Sequence, residues 1–336
     1  MTLLSNFSRM TRRITIKHFA IFILLIGVLL YISYDYIEIQ SVHRVFNKLL
    51  FADANPTPTP DKWKPREKIL PKLRLKAGRI FLVILVSSLP NAIESREAIR
   101  ETWAKSLIAN DTKLDSCLIF VVGSSKSTHL DIEVEEEAKQ YGDIFRSKYL
   151  DKPRHEIAKI WKSYYWVAKY EPKYVIKTKD DVYIYLPSVM RWLKQRDPKE
   201  QLYAGKLINH ARVIRDKKDE FYVSWNEFSE TFYPDYCSGE IYVFSGNILE
   251  KLIRLSSSIA MFEVEDAYFG LLVHRADITP VDLRSQVYLD PLAPHKVQSW
   301  TNSGFQEAFA IGFNIPPNLL QYITDRYKKV EDIVVT

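Results

Sequence analysis

Apolar residues along this chain are grouped in two distinct ways. One run, residues 18–34 (HFAIFILLIGVLLYISY), holds no Asp, Glu, Lys or Arg. As a helix it rises roughly 25 Å, enough for a short membrane span. Further on the runs are shorter and richer in β-branched residues: 79–87 (RIFLVILVS), 117–123 (CLIFVVG), 143–150 (DIFRSKYL) and 174–178 (YVIKT). These read as strands, the first buried on both faces. Residues 91–105, 130–141 and 155–170 between them carry helical spacing. Strand and helix alternate, which predicts an α/β domain with a mostly parallel central sheet. Ligands of such a sheet sit beyond the carboxyl ends of its strands. No internal repeat is visible.

The same pattern divides the chain. Arg9, Arg12, Arg13 and Lys17 precede the apolar run, and Asp35 and Glu38 follow it. Positive charge on the cytoplasmic side predicts a cytoplasmic tail at 1–17, a signal anchor at 18–34 and a lumenal remainder. The exit YDYIEIQ offers no small-residue cleavage site, which argues against a removed signal peptide. Residues 35–77 read as a stem, with Pro56, Pro58, Pro60, Pro65 and Pro71 favouring extended backbone. The globular part is 78–336. Asn110 heads an Asn-Asp-Thr sequon that is open to glycosylation in a lumenal domain.

Charge changes the picture little. The net +6 of the 336 residues suggests nucleic acid at first sight, but four of those charges lie in the tail. The surplus of two elsewhere makes no basic stripe, so nucleic acid is not the partner. Cys117 and Cys237 are the two cysteines, too few for a disulfide framework. Pairing in an oxidising lumen and two buried free thiols are both open.

Four constellations could carry chemistry. The strand 173–178 runs directly into Lys179, Asp180 and Asp181. Acids at a strand end can hold a hard divalent ion through oxygen and leave positions for substrate phosphates, although an Asp-Asp pair also suits a solvated turn. In 94–103 (ESREAIRETW) Arg96 and Arg100 are four apart and share a helical face, able to pair with a diphosphate or to lie on the surface. In 233–245 (YPDYCSGEIYVFS) Gly239 lets a sugar or another backbone approach an aromatic-lined strand. Tyr236 and the upstream Trp225 offer rings for an acceptor sugar. In 262–273 (FEVEDAYFGLLV) Glu265 and Asp266 open a helix, where they either complement its dipole or supply a general base.

Taken in order, these blocks resemble the β-1,3-galactosyltransferase family and its β-1,3-N-acetylglucosaminyltransferase and fringe relatives, from about residue 80 to 283. The matching features are the Ser87-to-Trp103 pattern, EAKQYGDI, the Asp-Asp-Val step, YCSG-x-x-YV-x-S and Glu-Asp-x-Tyr-x-Gly. The resemblance implies a GT-A-type, Rossmann-like catalytic domain over 78–336, a UDP-sugar donor, Mn2+, and a single-pass type II protein of the Golgi membrane. It implies an inverting transfer, of galactose from UDP-galactose, to a glycan acceptor on protein or lipid in β-1,3 linkage. A UDP-N-acetylhexosamine donor and a catalytically weak glycan-binding paralogue or partner subunit are the alternatives. Carried onto this chain, Asp181 is the expected metal ligand, with His295 a second. Asp266, or Glu265, is the base. Ser87, Arg96, Arg100, Lys179 and Asp180 line the donor, and Trp225, Tyr236 and Gly239 the acceptor. One position departs: relatives carry an acid where this chain has Lys179, a change of two charge units beside the expected metal.

Overall fold

The computed structural model describes residues 70–71, 80–108, 116–152, 155–197, 199–290, 293–301, 304–305 and 308–335. The expected tail, anchor, most of the stem and Asn110 lie outside them. Among the described residues no helix is long and apolar enough to cross a membrane. The secondary-structure elements all belong to one compact unit, bounded by 57–256 and 260–336.

The central strand β1 is Leu82–Ser88, buried at every position, as a β-branched run without polar alternation requires. Helix α1 (Ile93–Glu101) and a short α2 (Lys105–Ile108) lead to β2 (Ser116–Ser124). Helix α3 (Thr128–Tyr141) starts where Ser127 accepts the Leu130 N–H and stops at Gly142, whose φ of 70° is left-handed. Then come β3 (Ile144–Leu150), α4 (Glu156–Ala168), β4 (Tyr174–Lys179), β5 (Val182–Ile184), α5 (Leu186–Lys194), β6 (Tyr203–Ile208) and β7 (Tyr236–Ser245). The remainder is α6 (Gly246–Ser256), α7 (Glu265–Arg275), β8 (Val281–Asp282), β9 (Val287–Leu289), α8 (Ala293–Lys296), β10 (Ala310–Gly312) and α9 (Pro317–Val335).

Seven strands form one sheet in the order β3-β2-β1-β4-β7-β6-β8. Its neighbours are parallel except on the two sides of β7, which is antiparallel to both β4 and β6. The mostly parallel sheet read from the sequence is therefore present. The reversal at β7 brings that strand's first residues to the edge where β1 and β4 end. A second sheet, β5-β10-β9, hangs from the chain just after the acidic pair.

Aromatic packing closes one face of the large sheet. Trp161 and Tyr164 of α4 meet Tyr268 and Phe269 of α7 edge-on, and Phe269 lies 5.0 Å from both Tyr242 and Phe244 of β7. Gly270 permits this: a Cβ there would fall 2.3 Å from Tyr236 Cβ, so any side chain would push α7 off β7.

Cys117 and Cys237 are free thiols. They stand on β2 and β7, with β1 and β4 between, and at about 4.8 Å per strand this is beyond disulfide reach. Burial pushes both thiols up to about 12.

Candidate active site at the strand ends

The register of β1 on β4 sets Ser87 beside Lys179, and the chain then turns through Asp180 and Asp181 into β5. One oxygen of each acid, Asp180 Oδ2 and Asp181 Oδ1, is buried without a hydrogen-bond partner. The other Asp181 oxygen accepts the Asn314 N–H at 3.0 Å, and its carbonyl accepts that of Ile315. Burial raises the Asp180 carboxyl above its ordinary range; the Ser88 hydroxyl opposes this, while the Asp181 charge adds to it. Two adjacent carboxylates, each with an oxygen waiting for a partner, suit a hard cation that takes its remaining ligands from phosphate and water. Among the described residues no three His, Cys, Asp or Glu side chains converge as a metal cage. His295 is exposed on α8, and the C-terminal segment that does touch Asp181 is Asn314 and Ile315.

Lys179, the departure noted above, is matched across the ladder. Its ammonium lies 2.9 Å from Glu240 Oε1 of β7. The second Glu240 oxygen is buried and unpartnered. Two residues earlier on the same strand face, Lys177 is almost wholly buried, 3.0 Å from Glu265 Oε2 and 2.6 Å from the Gly239 carbonyl. Burial disfavours the Lys177 charge, yet Glu265 and Glu156 more than restore it and hold its pKa above the ordinary value. Glu265 is thus no base facing substrate. Its other oxygen accepts the Tyr242 hydroxyl at 2.6 Å, and its place is beneath the site, anchoring Lys177.

Asp266 is held differently. Oδ2 accepts the Gly239 N–H at 2.8 Å and Oδ1 accepts the Ala267 N–H at 2.9 Å. A Cβ on Gly239 would lie 3.0 Å from Oδ2. The close approach that Gly239 allows is therefore that of the Asp266 carboxylate rather than of a sugar. Burial raises the Asp266 carboxyl, and Lys177, the two N–H bonds and Lys179 pull against that rise. Asp266 also feeds into the raised pKa of Tyr236, secondary to burial, so Tyr236 shares its surroundings.

The arginine pair is placed elsewhere. All five N–H groups of Arg96 meet oxygen: Glu137 on both Nε and Nη2, the Ser88 hydroxyl and Leu89 carbonyl on Nη1, and the Pro90 carbonyl on Nη2. Arg100 grips both oxygens of Asp143, contacts Glu137 at 2.8 Å, and lies 3.9 Å over the Tyr141 ring. Arg96 has no N–H left for a diphosphate, and Arg100 has its Nε–Nη2 edge committed to Asp143 and Glu137, with Nη1 buried and unpartnered. They tie α1 to α3, although Arg96 still draws the Asp180 carboxyl downward. Ser87 donates to Glu156 Oε1 at 2.9 Å, so it too serves the buried lattice. Trp225 is exposed on the connection between β6 and β7, with Arg215 stacked 3.9 Å over its ring.

Lys177, Glu156 and Glu240 were missed by the sequence reading. A lysine inside the buried strand YVIKT was the available signal, because an unpaired buried ammonium is untenable. The sequence profile of the galactosyltransferase family matches residues 94–284, spanning the arginine helix, the acidic pair and Asp266. The chain belongs to that family. Within it, mouse beta-1,3-galactosyltransferase 2 is 30% identical over 60% of this chain and 49% of its own length. Human beta-1,3-galactosyltransferase 5 is 30% identical over 61% of this chain and 66% of its own. The chain thus spans about half the length of the first of these galactosyltransferases and two thirds of the second. A solved glycosyltransferase involved in the glycosylation of the major capsid of PBCV-1 aligns with 75% of this chain and 99% of its own at 12% identity, and a TM-score of 0.34 is too loose to argue from.

Proposed function

We propose that this protein transfers galactose from UDP-galactose to a glycan hydroxyl, inverting the anomeric carbon to leave a β-1,3 bond. The single observation that carries the reading is the Asp266 carboxylate, gripped by two backbone N–H groups at the strand edge that also bears the acidic pair. Family membership supports the class of reaction, and the names of its relatives support the sugar.

In this reading Asp266 receives the proton of the acceptor hydroxyl while that oxygen bonds to the anomeric carbon. The bond from that carbon to the UDP oxygen breaks, and its electron pair leaves with the diphosphate. Raised basicity suits the base, and its two N–H bonds keep one orientation without consuming every lone pair. Asp181, with Asp180, would hold Mn2+, which when bound supplies positive charge against the departing diphosphate. Lys179 adds a cation at the same edge. The type II Golgi placement, with glycoprotein or glycolipid acceptors, completes the proposal.

The test is UDP release by the full chain, supplied with UDP-galactose, UDP-N-acetylglucosamine or UDP-N-acetylgalactosamine and a panel of acceptors, with and without Mn2+. Acceptor-dependent, Mn2+-dependent release from UDP-galactose, giving a β product by NMR and lost in Asp181→Ala, is the expected result. Preference for an N-acetylhexosamine donor would replace the sugar. Glycan binding with no turnover of any donor would favour the non-catalytic reading that Lys179 motivates.

A further inference from the structure

A cleft of about 750 Å³ lies between the edge of the large sheet and the small one, lined by Lys206, Arg284, Tyr288, Asp290, Lys296 and Trp300 among others. No residue singled out from the sequence lines it. We propose that it is an acceptor subsite that recognises an anionic sugar, one bearing a carboxylate or sulfate, next to the sugar that receives the transfer.

Position is the first support. Gly205 pairs with Tyr242 and Leu207 with Cys237, so Lys206 alone stands opposite residues 238–241 of β7. That bulge contains Gly239, which seats Asp266, and Glu240, which holds Lys179. The opposite wall, β9, pairs with β10, and β10 with β5, the strand that follows Asp181. One wall of the cleft is thus the β6 neighbour of the strand that seats Asp266, and the other is joined through β10 to the strand that follows the acidic pair.

Chemistry is the second. The volume suits a short oligosaccharide. The Tyr288 and Trp300 rings meet edge-on at 4.9 Å and 68°, giving an apolar surface for the C–H face of a sugar. Three cations line the cleft. Lys206 is fixed by the Leu289 carbonyl at 2.8 Å, a bond that leaves its charge uncancelled. Arg284 and Lys296 pair with Asp282 and Asp290, but both are more than half exposed. Exposed pairs of this kind are weak and exchange readily for another anion. An ammonium held rigidly beside two loosely committed cations selects a carboxylate or sulfate over a hydroxyl.

This proposal rests on the transferase reading, and a direct binding measurement keeps the two separable. Full-chain protein is titrated at low salt with glycans in matched pairs, one carrying a uronic carboxylate or a sulfate and its partner the plain hydroxyl. UDP-galactose consumption is measured in the same samples. The anionic members should bind about tenfold more tightly, and Lys206→Gln should abolish that preference while Tyr288→Ala weakens both members of a pair. Equal binding of the two members, or a preference that survives Lys206→Gln, overturns the subsite. So does competition by UDP alone, which would make the cleft a nucleotide site. Failure to consume any nucleotide sugar, with the anionic preference intact, overturns the transferase reading instead.

Discussion

Two buried charged networks flank this sheet, and they differ in what they leave over. Around Arg96 and Arg100, opposite charges close on one another: Glu137 and Asp143 answer both guanidiniums, backbone carbonyls take the rest of Arg96, and what stays unpartnered is a donor, Arg100 Nη1. Around Lys177 and Asp266 the cations are equally well held, yet Asp180, Asp181 and Glu240 each keep a buried oxygen without a partner. The arginine network ties α1 to α3 and offers no acceptor to a cation. An open one at a strand end stores unmet hydrogen-bonding capacity, which is unfavourable until a ligand arrives. Burial of charge alone does not mark a cation site; unpartnered carboxylate oxygens gathered at one strand end do.

That contrast breaks first at Asp266. Asp266→Asn removes the base but no core packing, and kcat should fall about 10²- to 10⁴-fold in the galactosyltransferase assay, with UDP-galactose still bound. Arg96→Met should act the other way. It strips buried Glu137 of one of its two arginines, leaving Arg100 at 2.8 Å, and costs about 3 kcal/mol in urea unfolding, while turnover per folded molecule is kept. A similar kcat loss in both variants would show that the distinction is false. Gly239→Ala is subtler, since the new Cβ would crowd Asp266 Oδ2 at 3.0 Å. A carboxylate displaced by a fraction of an ångström should lower kcat by up to about 10²-fold at nearly unchanged stability.

The smallest effect is in acid. Burial would raise the Glu156 carboxyl, but Lys177, Lys159, Lys179 and the Ser87 hydroxyl outweigh it and hold the group down to about 2 against an ordinary 4.5. Folding binds fewer protons there than unfolding does. The stabilisation is thus complete above pH 4.5 and lost as pH falls toward about 2. Glu156→Gln should flatten stability against pH across that window in an acid titration followed by circular dichroism.

Much of this was legible from patterning. The alternation of β-branched runs and helical spacing located β1 to β4 and the helices between them, because central parallel strands are apolar throughout. The acids at the end of β4 were legible for the same reason. Arg96 and Arg100 were not, since four-residue spacing says that two side chains share a face and nothing about what that face meets. Glu137 and Asp143 lie some forty residues away. Gly239 was read as an approach for a sugar or another backbone, because its actual neighbour, the Asp266 carboxylate, comes from a helix 27 residues later. The small sheet β5-β10-β9 escaped notice, as strands of three residues carry too little periodicity to see.

The Lys179–Glu240 pair carries a lesson for comparing members of this family. Read column by column along the chain, a lysine in place of an acid looks like a lost anion and a damaged centre. Read across neighbouring strands, the lysine's charge is answered by Glu240 one ladder rung away. The charge at this sheet edge is therefore set by residues on two adjacent strands, and a lysine judged by its own position alone misstates the field a ligand meets there.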